Sequence, residues 1–272
     1  MSKVDKQLPF NVELPENSEH LNMIIYGDTG TGKTYLCGTA MDFAGSSPTL
    51  FIDFEGGTKT LHGRKIDVVR PKSWKEIQTI YEYLYHDNNR YKSVVIDSLT
   101  ELQKKYSMGA IMGQFESGEN DTYADLESSV APTRQDWLRS GEQMRKMIRA
   151  FRDLAYLQES SRRVHIIMTA LEKYDEKKQL ICPSLPGSLA YECGAMVDIF
   201  CRLSKQNIVT SDPETGQEKT IAKRHLLTEE YVDDTGLKYT AKNRGGRLGR
   251  QMWDPSISKI LGVWQEEKKD GV

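Results

Sequence analysis

The chain has 272 residues, of which 38% are apolar and 28% charged, and its formal net charge is -2. This is ordinary for a globular protein of one large α/β domain or two small ones, and long enough to bury a sizeable core. A near-neutral balance excludes a global attraction for nucleic acid, so any such contact needs a local patch.

Residues 1–20 are polar and proline-punctuated and read as an N-terminal arm. They contain no apolar core of a signal segment, and no stretch of the chain approaches the roughly 18 apolar residues that cross a bilayer. An intracellular, cytoplasmic protein without membrane contact is therefore expected. The four cysteines, Cys37, Cys182, Cys193 and Cys201, form no C-x-x-C pair and have no histidine at ligand spacing. They are expected to be reduced and mostly buried.

From Leu21 onward, short apolar runs alternate with longer helical stretches. Residues 22–26 (NMIIY), 50–54 (LFIDF), 93–97 (SVVID) and 164–169 (VHIIMT) are short and rich in β-branched residues, as suits strands buried on both faces of a parallel sheet. Between them Lys33–Phe43, Ser73–Tyr85 and Arg134–Glu159 have helical periodicity. This order predicts one α/β domain over 21–250 with a mostly parallel central sheet flanked by helices. Residues 114–133 carry Glu116, Glu119, Asp121, Asp125 and Glu127 with no Lys or Arg, and read as a mobile acidic insertion. Segments 218–231 and 237–242, on either side of Asp233-Asp234-Thr235-Gly236, predict a late β-hairpin, and 251–272 a C-terminal tail.

The first strand runs directly into Gly27-Asp28-Thr29-Gly30-Thr31-Gly32-Lys33-Thr34, a full match to G-x-x-x-x-G-K-[ST] between a strand and a helix. Glycines let backbone N–H groups turn inward around phosphates at the positive end of the following helix. Lys33 supplies a mobile charge and Thr34 a hydroxyl for Mg²⁺, while Tyr35 continues the cradle onto the helix. ATP and Mg²⁺ are the expected ligands. Asp97, at the end of an apolar run, is the expected second metal partner. The alternative is a helix cap, a role Ser98 fills better. Glu55 stands beyond the carboxyl end of the second strand, where ligands of open α/β sheets gather, and is placed to activate water. The alternative is a solvent-exposed turn glutamate.

Walker A, FIDFEGGT, YKSVVIDSLTEL, the helix Met144–Leu154 and residues 183–203 (PSLPGSLAYECGAMVDIFCRL) together resemble the RecA-like P-loop ATPase core. They are most similar to the phage nucleotide-binding proteins of the Sak-type single-strand annealing and recombinase group. The resemblance implies an ATPase that oligomerises and acts on single-stranded DNA in recombination or annealing, in the cytoplasm of an infected host if phage-encoded. It makes Glu55 the catalytic carboxylate and puts Thr169 in the place of a γ-phosphate sensor, against the alternative of an ordinary strand-end threonine. It also implies that Lys242 and Arg244, alternate cations at a late strand end, reach a neighbouring subunit's γ-phosphate. The alternative for that pair is a solvated basic turn. Sites shared in this way require a ring or filament, in which Phe10 of the arm docks on a neighbour. A phage single-stranded DNA-binding protein is a further implied partner.

For DNA itself the residues offer Arg145, Arg149 and Arg152 on one helix face, with Lys173, Lys177 and Lys178 in the loop after the fourth apolar run. The arginine face can equally be a solvated one paired with Glu142 and Asp153. A nucleotide-switched loader or packaging accessory that binds a protein rather than DNA is the rival function, and the acidic insertion suits it.

Overall fold

The computed structural model describes residues 20–113, 131–211 and 218–266. Most of the acidic insertion and the arm with Phe10 lie outside those residues. The elements in chain order are β1 (Asn22–Gly27), α1 (Lys33–Gly38), β2 (Thr49–Asp53), β3 (Asp67–Val69), α2 (Trp74–His86) and β4 (Ser93–Asp97). A helical stretch follows: α3 (Leu99–Glu101), a π-helical segment Leu102–Ser107, then α4 (Met108–Ile111). After α5 (Arg134–Asp153) come β5 (His165–Asp175), β6 (Leu180–Pro183), α6 (Leu189–Met196), β7 (Ile199–Ser211) and β8 (Glu218–Leu227). Short strands β9 (Tyr231–Val232), β10 (Lys238–Tyr239), β11 (Lys242–Asn243) and β12 (Gln251–Trp253) precede α7 (Ile257–Glu266).

The fold is α/β. Its main sheet has the order β12-β8-β7-β1-β5-β4-β2-β3, parallel from β7 through β3, with β8 and β12 added antiparallel at one edge. The predicted central strands are there because their runs of Ile, Val, Leu and Phe can be buried on both faces. Ile24 and Tyr26 of β1 pack into the cluster with Met144, Ile148 and Phe151 of α5, whereas Met23 and Ile25 face Leu36 of α1 and Ile260 of α7. Helix α5 starts at a capping box, in which Thr133 accepts from the Asp136 N–H and the Asp136 carboxylate accepts from the Thr133 N–H.

Two expectations need correction. The late hairpin exists, but its long arms are β7 and β8, paired from Arg202–Leu227 out to Ser211–Glu218. Across Asp233–Gly236 only β9 and β10 pair. Sequence periodicity ranks local turns, and the β7–β8 pairing is fixed instead by β7 adding in parallel to β1 and presenting its other edge. Nor are residues 251–266 a tail. Strand β12 pairs with β8, and α7 buries Ile257, Ile260, Leu261 and Trp264 against the face of the sheet opposite α5. Full burial of such side chains contributes about 1.5–3 kcal/mol each, enough to fix a ten-residue helix that could not persist alone.

Candidate active site

Parallel pairing in register brings the carboxyl ends of β1, β2, β4 and β5 to one edge. Asp53 lies beside Asp97, Ile96 beside Met168, and Gly27 beside Leu171. Ligand sites of open α/β sheets form at this edge. Here a cavity of about 870 Å³ is lined by Gly30, Gly32, Lys33, Thr34, Glu55, Asp97 and Arg224, among others.

The loop from β1 to α1 turns through Gly30 (φ 73°) and Gly32 (φ 95°), values a side chain would strain. Thr31 N–H and hydroxyl both donate to the Asp28 carbonyl, and Asp28 Oδ1 accepts from the Thr29 N–H at 2.7 Å. The Lys33 ammonium folds over the loop and donates to the Gly27 and Asp28 carbonyls, each at 2.9 Å. Burial lowers the Lys33 pKa, and the Asp97 and Glu55 carboxylates pull it back up.

Asp97 is buried and receives two hydroxyls. Thr34 Oγ1 donates to Oδ2 at 2.6 Å, and Thr169 Oγ1 donates to Oδ1 at 2.5 Å. Burial raises its pKa against the lowering effect of those two bonds. Ser98 takes the cap of α3, accepting from the Glu101 N–H, which leaves the Asp97 carboxylate to the site. The Ser98 hydroxyl also donates to Glu55, tying β4 to the loop after β2. Thr169 is fully buried and its hydroxyl is spent on Asp97, so it meets the cavity only through that carboxylate.

This geometry fits Mg²⁺ held with a nucleotide. Among the described residues no cluster of three His, Cys, Asp or Glu could hold a metal alone. Mg²⁺ is typically held by one or two protein oxygens with waters and substrate phosphates, which is what Thr34 and Asp97 offer. The space beside them is kept by Gly57, where a Cβ would stand 3.2 Å from Thr34 Oγ1 and 3.7 Å from Asp97 Oδ2.

Two residues outside the sequence-derived set belong to this site. Asp53 Oδ1 accepts the backbone N–H groups of Glu55 (3.2 Å), Gly56 (2.8 Å) and Gly57 (3.2 Å), and Oδ2 accepts from the Thr58 hydroxyl at 2.6 Å. Arg70 lies 3.2 Å from Oδ2. An aspartate followed by Gly-Gly hints at such a side-chain-capped turn. Arg224, on β8, carries no such signal, and only the sheet brings it to the cradle.

The remaining predicted residues lie apart. Lys242 pairs with Phe200 at the start of β7, near the amino end of β1 and so opposite the cradle. Its ammonium donates to the carbonyls of Gly194 (2.9 Å), Ala195 (3.4 Å) and Val197 (2.6 Å), the end of α6. Within its own chain Lys242 thus serves as a helix C-terminal cap. Arg244 pairs with Asp198 at 3.0 Å, and its side chain is 59% exposed. Arg145 is held by Glu192, Glu142 and Ser188. Arg152 is held by Asp153 and the Met196 carbonyl. Lys173 donates to the Leu185 carbonyl, and Lys178 stands 3.4 Å over the Tyr191 ring. Arg149 and Lys177 are exposed.

Comparison with known proteins adds a family match. A model described as an AAA domain matches residues 19–244. Among curated proteins none matches. Among solved structures, the RadB recombinase is similar at 13% identity and a TM-score of 0.37, covering 81% of this chain and 90% of that one. A prototypical ATPase from the type III secretion system of pathogenic bacteria is similar at 17% identity and a TM-score of 0.35, covering 68% and 51%. Similarity at that level adds nothing to the geometry of the site.

Proposed function

This chain belongs to the AAA-domain family of P-loop ATPases, and from that premise we propose that it binds ATP with Mg²⁺ at the β1–α1 cradle and hydrolyses it with Glu55 as general base. One observation carries the reading: Lys33, Thr34, Glu55 and Asp97 converge on a single cavity from three different strand ends. The cradle N–H groups and Lys33 would hold the phosphate chain, and Thr34 and Asp97 the metal. When bound, Mg²⁺ supplies charge neutralisation on the phosphates. Glu55 is the exposed carboxylate on the cavity wall, held by Ser98, and takes the proton of the attacking water. Thr169, bonded to Asp97, relays the state of the metal site to β5.

Glu55→Gln should keep ATP binding and stop turnover, whereas Lys33→Ala should abolish tight binding. Turnover at the parental rate in Glu55→Gln would refute the base assignment.

The finer reading is a homo-oligomer, ring or filament, that acts on single-stranded DNA in recombination or annealing, with Arg244 completing a neighbour's site. Its support is the resemblance of the motifs to the Sak-type group and the exposure of Arg244 away from its own cradle. Mixing Arg244→Ala with Glu55→Gln protein should restore some turnover if sites are shared. The second reading, a nucleotide-switched loader or packaging accessory with a protein partner, is favoured by a specific observation. Arg145, Arg152, Lys173 and Lys178 are all engaged within the chain. Anisotropy of a labelled oligo-dT with ATP and Mg²⁺ across a salt series separates the two. DNA action predicts ATP-dependent binding that weakens steeply with salt, and no binding at low salt rejects it.

A further inference from the structure

The cavity wall carries two cations besides Lys33 that the cradle motif does not account for, Lys105 and Arg224, and Arg224 is the one set against the cradle itself. Arg224 sits in β8 opposite Lys205, and its guanidinium carbon stands 4.7 Å from the centroid of the Tyr35 ring. A Cβ on Gly32 would lie 2.5 Å from Arg224 Nε. The guanidinium is thus wedged between the first turn of α1 and the cradle backbone.

Its Nε is closed off from solvent and has no acceptor. Asp254 accepts from the Arg224 backbone N–H, not from the side chain, and no acidic side chain among the described residues forms an ion pair with it. The acids on the cavity wall are Glu55, Asp97 and Glu101, and the other cations are Lys33 and Lys105. A guanidinium held in place beside a phosphate cradle, with its Nε packed on Gly32 and no ion pair within the described residues, suits contact with phosphate oxygens through its terminal nitrogens. The tyrosine ring occupies its face and fixes its plane.

We infer that Arg224 binds the phosphate chain of the nucleotide from within the same chain, on the Gly32–Tyr35 side of the cradle, with Tyr35 as its platform. This rests on the proposed nucleotide binding. It makes the β7–β8 hairpin part of the site, so that nucleotide occupancy is felt by a strand the cradle motif does not include.

The test uses the full chain and two probes with Mg²⁺, ATP and inorganic tripolyphosphate, titrated by calorimetry. Arg224→Ala should weaken both by the same factor, about tenfold or more, as expected for loss of a charge-assisted contact. Arg224→Lys should recover only part of that, since an ammonium keeps the charge and loses the fork. The melting temperature without ligand controls for folding, and if the alanine variant fails there, Arg224→Gln carries the same test. Unchanged affinity for both probes overturns the inference while leaving nucleotide binding intact. Loss confined to ATP also overturns it, because that outcome marks a contact to the base. If the parent protein binds neither probe, the nucleotide-binding reading falls and takes this inference with it.

Discussion

Replacing Asp53 with asparagine keeps the side chain's shape but removes its charge at the base of the loop that carries Glu55. In the parent, Oδ1 accepts three backbone N–H groups, of Glu55, Gly56 and Gly57, and an amide oxygen can keep all three. Oδ2 cannot be replaced so well, because an NH₂ group there would face the Thr58 hydroxyl and the Arg70 guanidinium, both donors. Thr58 Oγ1 already accepts from Arg70 at 2.7 Å, which restricts its freedom to reverse. Hydrogen bonds to charged groups contribute about 1.5–3 kcal/mol against about 0.5–1.5 for neutral ones. Asp53 is 1% exposed, so that difference applies with little solvent screening, whereas the Arg70 side chain is 58% exposed and its ion pair adds little. A total loss of about 2–3 kcal/mol follows. Urea unfolding at pH 7 should show it as a lower midpoint with unchanged slope. ATP turnover should fall while ATP affinity is kept, because Glu55 loses its positioning and the cradle does not. Destabilisation under about 0.5 kcal/mol with normal turnover would refute the role given to Asp53.

Three further outcomes are expected. Leu261→Ala should cost about 2–5 kcal/mol in urea unfolding, since Leu261 is fully buried in α7, and a value near zero would return 251–266 to the status of a tail. Gly57→Ala should leave the ligand-free melting temperature nearly unchanged but raise the Mg²⁺ concentration needed for ATP binding, because the added methyl crowds Thr34 and Asp97. An unchanged Mg²⁺ titration would count against that metal site. His165 accepts from the Leu21 N–H at 2.9 Å, and burial, with His20 nearby, pushes its pKa down to about 3. The unfolded chain therefore takes up this proton first, and the stability present above about pH 6.5 is lost as pH falls toward 3. The slope from this group is at most about 1.4 kcal/mol per pH unit. His165→Asn should flatten the dependence between about pH 6 and 4, and an unchanged slope would reject the assignment.

Local chemistry makes part of this protein legible in its sequence. The cradle Gly27–Thr34 is contiguous, and its glycines, Lys33 and Thr34 are demanded by the backbone geometry of a strand-to-helix turn around phosphate. The central strands can be read because burial on both faces leaves only apolar, β-branched runs, and strand ends in such a sheet locate Asp97 and Glu55. What joins these pieces is not local. Register across β1, β5 and β4 decides that Asp97 receives Thr34 on one oxygen and Thr169 on the other. The end of α6 decides that Lys242 caps a helix within its own chain, its ammonium donating to three carbonyls. Strand β7, by adding in parallel to β1, carries β8 and Arg224 to the cradle and gives β12 and α7 a place to pack. Sequence patterns report what each segment needs to bury or bond within a few residues. Which distant segment meets that need is decided only when the sheet closes and all its edges and faces must be satisfied at once.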